Sequence, residues 1–450
     1  MHNKLRKLVK YFTMFAFMLN YSIGFADEST ENISLQQCLE VGLKKNISII
    51  NSELDQKKSE MRINEARSSG LPQIEASIQT LDYLKKSVML LPGELMGQPG
   101  SNISLEIGSK YVTTASIKFN QLLYSQTYFL ALDVSKRYAK LSEINVEKIK
   151  NDVIIDLTKM YVLASITNQQ IEIIKTNIAR LDTIINITNI ALTNGFAQKV
   201  DIDRAEMNKS ELSAQLEITK TLYRQQNDLI KYYIDYPSDL SITYKIESLF
   251  NSPDHKIDST DVLQRKELQL LVLQTDLYKD NVKAIQYEYI PTLSFIGSFQ
   301  YQNMREDYKL IGTKWYGNSY IGLNVSIPIF DGLNKDSRIE QAQIELLKSE
   351  NTKRDTKNYF MVEFEQSKRE YEKCNNTLSV RNENVSLAHK ILDITKVKYS
   401  EGQFAMKDLL ADEIALSNSE LNLLSAKMDL LYSELGILKS TNKLEILLNK

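Results

Sequence analysis

Two short stretches decide how this chain is read: TNGFAQKVDIDRAE, Thr193 to Glu206, and SEGQFAMKDLLADE, Ser400 to Glu413. In each, a lone glycine inside a long proline-free run is followed six residues later by an aspartate, Gly195 with Asp201 and Gly402 with Asp408. Proline removes a backbone donor and glycine loosens the backbone, so the two mark where helices stop. The seven prolines stand at 72, 92, 99, 237, 253, 291 and 328. Between Ser125 and Tyr236 the only glycine is Gly195, and beyond Leu333 there are only Gly402 and Gly436. Each quoted stretch therefore reads as a turn that splits a very long helical run into two antiparallel arms, its glycine taking the left-handed conformation just past the helix end. The aspartate falls in the first turn of the returning helix, where a carboxylate caps free amides and meets the helix dipole.

Periodicity agrees. Ala164, Thr167, Ile171, Ile174, Ile178, Leu181, Ile185 and Thr188 alternate spacings of three and four, as do Phe360, Phe364, Ser367, Tyr371 and Cys374 on to Tyr399. After Gly402 the pattern resumes at Leu410, Ile414, Ser417, Leu421 and Leu424. A mean of 3.5 residues is the coiled-coil repeat. Each descending arm runs for roughly 70 residues, about 100 Å at helical rise, which no ordinary globular domain needs.

Ahead of each long arm the period changes to two. Ile321, Leu323, Val325, Ile327 and Ile329 face one way, with Gly322, Asn324 and Ser326 facing the other. Leu293, Phe295, Phe299 and Tyr301, then Tyr111, Ala115, Ile117 and Phe119, then Ile74, Ala76 and Ile78 alternate similarly with polar or small residues. Strands of about 9 to 12 residues with one apolar face suit a tilted bilayer crossing. Tyr83, Tyr111, Tyr301, Trp315, Tyr316 and Tyr320 gather at the loop end and Tyr124 and Phe330 at the other, as interfacial girdles would. Four strands cannot close alone, and lipid forbids an open edge, so the chain is expected to oligomerise.

The chain begins with Lys4, Arg6, Lys7 and Lys10, an apolar run from Tyr11 to Leu19, and Gly24-Phe25-Ala26, the pattern of a cleaved export signal over 1–26. Its removal takes away four cations and no acid, moving the formal net charge from −2 to −6, a balance that argues against a nucleic-acid partner. The expected organisation is a first repeat over 27–236, comprising a helix, a strand hairpin over 73–124 and a helical hairpin over 126–235 with its tip near 195. A linker over 237–260 follows, containing His255. The second repeat, 261–450, has a helix, a strand hairpin over 292–330 and a helical hairpin over 333–440 with its tip near 402. Pro72, Pro291 and Pro328 mark strand entries and exits. The segment Leu84 to Lys110 reads as a long external loop.

No HExxH, GxSxG or phosphate-cradling loop occurs, and Cys38 and Cys374 have no metal-ligand spacing. The expectation is a non-enzyme without cofactor or metal. In an oxidising compartment the two cysteines have the option of a bridge.

The order and spacing of these features resemble the TolC family of outer membrane efflux proteins. The features are the opening Ile33-Ser34-Leu35-Gln36-Gln37-Cys38-Leu39, the Leu71-Pro72 and Ile290-Pro291 strand entries, Ser326-Ile327-Pro328-Ile329-Phe330-Asp331-Gly332, and the paired glycine turns. The resemblance implies an α+β membrane protein with an internal two-fold repeat. Four transmembrane strands per chain would contribute to a trimeric 12-stranded β-barrel, continuous with a long α-helical coiled-coil barrel. It further implies a passive exit duct in the outer membrane of a Gram-negative bacterium, its helical part in the periplasm, docked on a periplasmic adaptor and an inner-membrane pump or ABC exporter.

By the same resemblance the quoted turns lie at the periplasmic mouth, with Gly195, Phe196, Gly402 and Gln403 as the adaptor-docking tips. Asp408, Asp412, Tyr399, Phe404 and Asp201 are the candidate gate: Asp408 matches an acidic ring position, Tyr399 is placed to bond across hairpins, and Phe404 stands where some relatives carry a basic residue. A periplasmic coiled-coil adaptor or a structural surface protein are the rival readings. The first would carry one long hairpin rather than two, and the second would not need four amphipathic strands.

Overall fold

The computed structural model describes residues 31–92, 97, 100, 102–236, 242–243, 259–308 and 314–448. The expected export signal, most of the linker with His255, and parts of the connections from β3 to β4 and from β7 to β8 lie outside the described residues.

Chain order is β1 (Glu31–Asn32), α1 (Leu35–Lys45), α2 (Ile47–Ser68), β2 (Gln73–Asp82), β3 (Ser87–Pro92), β4 (Asn102–Ile107), β5 (Tyr111–Tyr124), α3 (Gln126–Thr193) and α4 (Lys199–Tyr233). The second half continues with β6 (Ile242–Thr243), a 3₁₀ turn (Ser259–Gln264), α5 (Lys266–Tyr287), β7 (Thr292–Arg305), β8 (Trp315–Ser326), α6 (Asn334–Ser400), α7 (Met406–Ser440) and a 3₁₀ turn (Leu444–Leu448). Helices α3 and α6 are 68 and 67 residues long, about 100 Å each.

The main sheet has the order β2-β5-β7-β8, antiparallel throughout. Pairing stacks Ile74, Phe119, Gly297 and Ile321 in one row, Ala76, Ile117, Phe299 and Ser319 in the next, and Ile78, Ala115, Tyr301 and Gly317 in a third. The intervening rows place Glu75, Lys118, Ser298 and Tyr320, then Ser77, Ser116, Gln300 and Asn318, on the opposite face. Because strand side chains alternate, one face is mainly apolar and the other mainly polar, where the Ser77 and Ser116 hydroxyls share a hydrogen bond at 2.9 Å. The apolar face is open: Ile78 and Ile321 are each 79% exposed, and no described helix covers them. Among the described residues, strands β2 and β8 each end the sheet with an unpaired edge. A bulge between Leu122 and Tyr124 breaks the β5–β7 register just above the start of α3. Pro72 directly precedes β2, Pro291 directly precedes β7, and Pro328 follows the end of β8 by two residues.

The segment between β2 and β5, expected as a long loop, is not a bare one. It contains a second antiparallel hairpin, β3 with β4, pairing Met89 with Leu105 and Leu91 with Ile103.

Below the sheet, α3 packs with α4 and α6 with α7 as two antiparallel hairpins. Seam positions spaced by three and four are the buried ones: Ala164, Thr167, Ile171, Ile174, Leu181 and Thr188 on α3, and Phe360, Phe364, Cys374, Leu392 and Thr395 on α6. Halfway down, α3 is buried on more than one face, at Val153, Ile154, Leu157, Tyr161 and Val162. There α1, the ends of α4 and α7 and the final 3₁₀ turn wrap it with Leu39, Ile230, Ile234, Leu435, Leu438 and Leu447. Tyr161, fully buried, donates its hydroxyl to the Ile33 carbonyl at 3.0 Å. This collar gives the arms a fixed point from which their lower ends project.

At the collar's edge Arg265 is buried, its guanidinium 3.7 Å from the centre of the Phe360 ring. It pairs with Glu267 and Glu363, which ties the start of α5 to α6. Cys38 and Cys374 are separate, buried free thiols. Among the described residues no helix is long and apolar enough to cross a membrane, and none cluster as three or more potential metal ligands.

Candidate functional site at the hairpin tips

Both tip turns close by the same hydrogen bonds. Gly195 N–H donates to the Leu192 carbonyl at 3.0 Å and Phe196 N–H to Ala191 at 2.8 Å; Gly402 N–H donates to Tyr399 at 3.0 Å and Gln403 N–H to Lys398 at 2.9 Å. Each is a Schellman closure, which needs a residue in the left-handed region. Gly195 takes φ +80° and Gly402 φ +74°. The returning helices start alike, with an Asp201 carboxylate oxygen accepting from Gln198 N–H and an Asp408 oxygen from Ala405 N–H, both at 3.2 Å.

The other candidates divide by what they touch. Tyr399 reaches across hairpins, its hydroxyl donating to Thr188 Oγ1 at 3.3 Å. Thr188 in turn donates to the Ile184 carbonyl at 2.8 Å. Asp412 stays within its own hairpin, accepting from Thr395 Oγ1 at 2.6 Å. Phe404 lies under the Lys398 ammonium, 4.9 Å from the ring centre. Asp201 also faces Arg204 at 3.5 Å. Phe196 is 87% exposed at the end of the first tip, and Gln403 donates its side-chain amide to Glu401 at 3.0 Å. Apolar side chains from both hairpins fill the space behind the turns: Leu181, Ile184 and Ala205 against Leu392, Met406, Leu409 and Leu410.

A set of polar residues not singled out in the sequence joins the hairpins above these turns. Arg180 of α3 donates from Nε to Glu413 Oε1 at 2.9 Å and from its two terminal nitrogens to Glu420 at 3.1 and 2.8 Å. It also donates to Asn177 Oδ1, and Asn177 donates to Ser417 Oγ. His389 of α6 stands 3.6 Å from Glu420. Burial works against the Arg180 cation, but its hydrogen bonds and charge interactions with Glu420 and Glu413 prevail and raise its pKa. Burial raises the Glu413 carboxyl above its ordinary range, against the pull of Arg180. The only sequence signal for this set is positional: Asn177 and Arg180 flank the seam residue Ile178, and Ser417 is itself a polar seam residue.

The arrangement holds no nucleophile with a base and no ligand cage. It is a packed and hydrogen-bonded contact between two long helical hairpins. Residues 262–443 match the family model described as outer membrane efflux protein. The TolC outer membrane protein of Escherichia coli K12 is 20% identical over 433 residues, covering 92% of this chain and 83% of the relative. TolC of Vibrio cholerae is 19% identical over 237 residues, a match that spans about half of each protein, 51% of this chain and 54% of the relative. The crystal structure of the Vibrio cholerae outer membrane protein VceC superposes with a TM-score of 0.74 at 13% identity, covering 90% of this chain and 95% of that one. The family match over 262–443, the curated TolC relatives and the shared fold agree in what this chain is similar to: the TolC family of outer membrane efflux proteins.

Proposed function

We propose that the chain is one subunit of an outer membrane exit duct, passively conducting substrates outward as part of a tripartite efflux pump or type I secretion system. The observation that carries this reading is the four-stranded sheet with an uncovered apolar face and two open edges, mounted on helical hairpins about 100 Å long. An apolar face belongs against lipid, and lipid tolerates no open edge, so β2 and β8 must meet strands of other copies. Three copies make a 12-stranded barrel lined by the Glu75, Lys118, Ser77, Ser116 and Gln300 face, with the helical hairpins continuing the tunnel into the periplasm.

The two halves, 27–236 and 261–450, act as repeats joined by a linker over 237–260, and a cleaved signal over 1–26 exports the chain. The tips at Gly195-Phe196 and Gly402-Gln403 meet a periplasmic adaptor, which in turn engages an inner-membrane pump or ABC exporter. Asp408, Asp412, Tyr399, Phe404 and Asp201 surround the constriction. Asp408 both caps α7 and presents negative charge to the lumen, so Asp408→Ala is expected to raise cation conductance or remove divalent-cation block in bilayer recordings. Unchanged conductance and block would remove Asp408 from the gate. The reading as a whole is tested by native mass spectrometry of the protein extracted from outer membranes. Detergent-dependent particles of three copies support it, and a water-soluble monomer rules it out.

A further inference from the structure

The polar ladder around Arg180 lies well above the tip turns and is not needed to close them. We propose that Arg180 is a latch holding α3 of one hairpin to α7 of the other, and that Glu413 makes this latch proton-sensitive. Its consequence for conduction rests on the duct reading, but the latch itself concerns only the separation of the two hairpins.

Arg180 precedes Gly195 by fifteen residues, about 22 Å along the helix. Glu413 and Glu420 are seven residues apart on α7, two turns, and therefore present their carboxylates on one face. Between them Ser417 meets Asn177, one turn from Arg180. The bonds thus interlock as a ladder of 177 with 417 and 180 with both 413 and 420. Water is largely kept out: Asn177 is fully buried and the Glu413 side chain is only 3% exposed. Arg180 itself is partly exposed at 22%, so the dry side of the seam is the Glu413 and Asn177 side, and there the guanidinium bonds hold the carboxylate across the helix pair.

The charges do not balance. One guanidinium faces two carboxylates, and Glu413 Oε2 is buried with no hydrogen-bond partner. A buried carboxylate oxygen without a partner favours the neutral acid. The charged or titratable groups facing Glu413 are Arg180 from α3, Glu420 from its own helix and His389 from α6. Burial and Glu420 favour the neutral form, while Arg180 and a protonated His389 oppose it. On α3, Asp182 is already engaged with Lys209 of α4 at 2.6 Å.

With the Glu413 pKa raised in the joined state above its value when hydrated, joining is favoured at low pH. It weakens as pH rises through the raised value. The latch is tight in mild acid and looser toward neutral and alkaline pH.

The test uses the full assembled chain in detergent, spin-labelled through Phe196→Cys and Gln403→Cys, one label on each tip, with distances measured at pH 5 and pH 8. The parent is expected to lengthen its mean label distance from pH 5 to pH 8. Glu413→Gln should stay short at both pH values, Arg180→Met long at both, and His389→Gln should retain the parent's response. Glu420→Gln, which keeps its shape and loses the bidentate partner, should also lengthen the distance, and serves if Arg180→Met does not assemble. A short distance in Arg180→Met or Glu420→Gln overturns the latch. A pH response kept in Glu413→Gln, or lost in His389→Gln, overturns the assignment to Glu413. Failure of the same preparation to conduct ions would count against the duct reading and leave the distances interpretable.

Discussion

The Tyr399 hydroxyl donates to Thr188 Oγ1 at 3.3 Å, joining the last turn of α6 to the lower end of α3 in the other hairpin. An ordinary hydrogen bond of this kind is worth about 1 kcal/mol net. Tyr399→Phe is expected to loosen the tips by about that amount, seen as a more frequent open level in bilayer recordings. Combined with Thr188→Val, the effects should be non-additive by roughly 0.5 to 1 kcal/mol, since both remove the same contact. Strict additivity would mean that the contact does not hold the tips.

The tip glycines make a separate prediction. At Gly195 and Gly402 a Cβ would meet nothing within 4 Å, so any cost of substitution is one of backbone conformation. Gly195→Ala and Gly402→Ala should each destabilise by about 1 to 2 kcal/mol, and asparagine at either site by less, because it tolerates the left-handed region better. Chemical denaturation followed by helical circular dichroism distinguishes the two. Alanine as stable as glycine would show that the turns do not depend on the positive φ.

The two faces of the sheet should respond oppositely to charge. Ile321 lies on the open apolar face and Asn318 on the polar face of the same strand. A lysine facing lipid near mid-bilayer costs about 2 to 4 kcal/mol, and one facing the lumen costs little. Ile321→Lys is expected to reduce the yield of heat-resistant oligomer on gels strongly, and Asn318→Lys to leave it near the parent level. Equal losses would contradict the assignment of faces.

Burial pushes the Cys38 thiol up to about 12 from an ordinary 9.0, so it stays neutral and unreactive while the collar is folded. Alkylation at pH 8 should be slow in the native protein and fast after unfolding. A group whose folded pKa is raised contributes stability below its unfolded value and loses it as pH rises toward the folded one. The collar should therefore weaken between about pH 9 and pH 12. Rapid labelling at pH 8 under native conditions would place Cys38 outside the core.

Much of the architecture was legible because it rests on strong local signals. The glycines at 195 and 402 stand alone in long runs, and the alternation at 321–325 or 115–119 assigns faces without reference to any other part of the chain. The collar was not legible, because Val153 to Val162 form an apolar run whose partners, such as Leu39, Ile230 and Leu447, come from the beginning, middle and end of the chain. The β3–β4 hairpin is hidden in the sequence because the prolines at 92 and 99 and their glycine neighbours dominate its local signal.

At the tips the candidates were visible as residue types, but their partners were not. Asp412 turned inward to Thr395, whereas Tyr399 reached across to Thr188. In sequence, Arg180, Glu413 and Glu420 do not differ from the other charges along the coiled-coil arms. Only the crossing of α3 and α7 brings them together in a buried seam, and helix crossings are set by the whole assembly of arms.

On the proposed reading, copies of this chain close one barrel around a conducting path. Its most direct test is ion conductance after insertion of the purified protein into a planar lipid bilayer. Discrete, uniform conductance steps are expected, which Arg180→Met makes larger or more frequently open. Insertion without conductance, or failure to insert with the protein remaining monomeric in water, would contradict it.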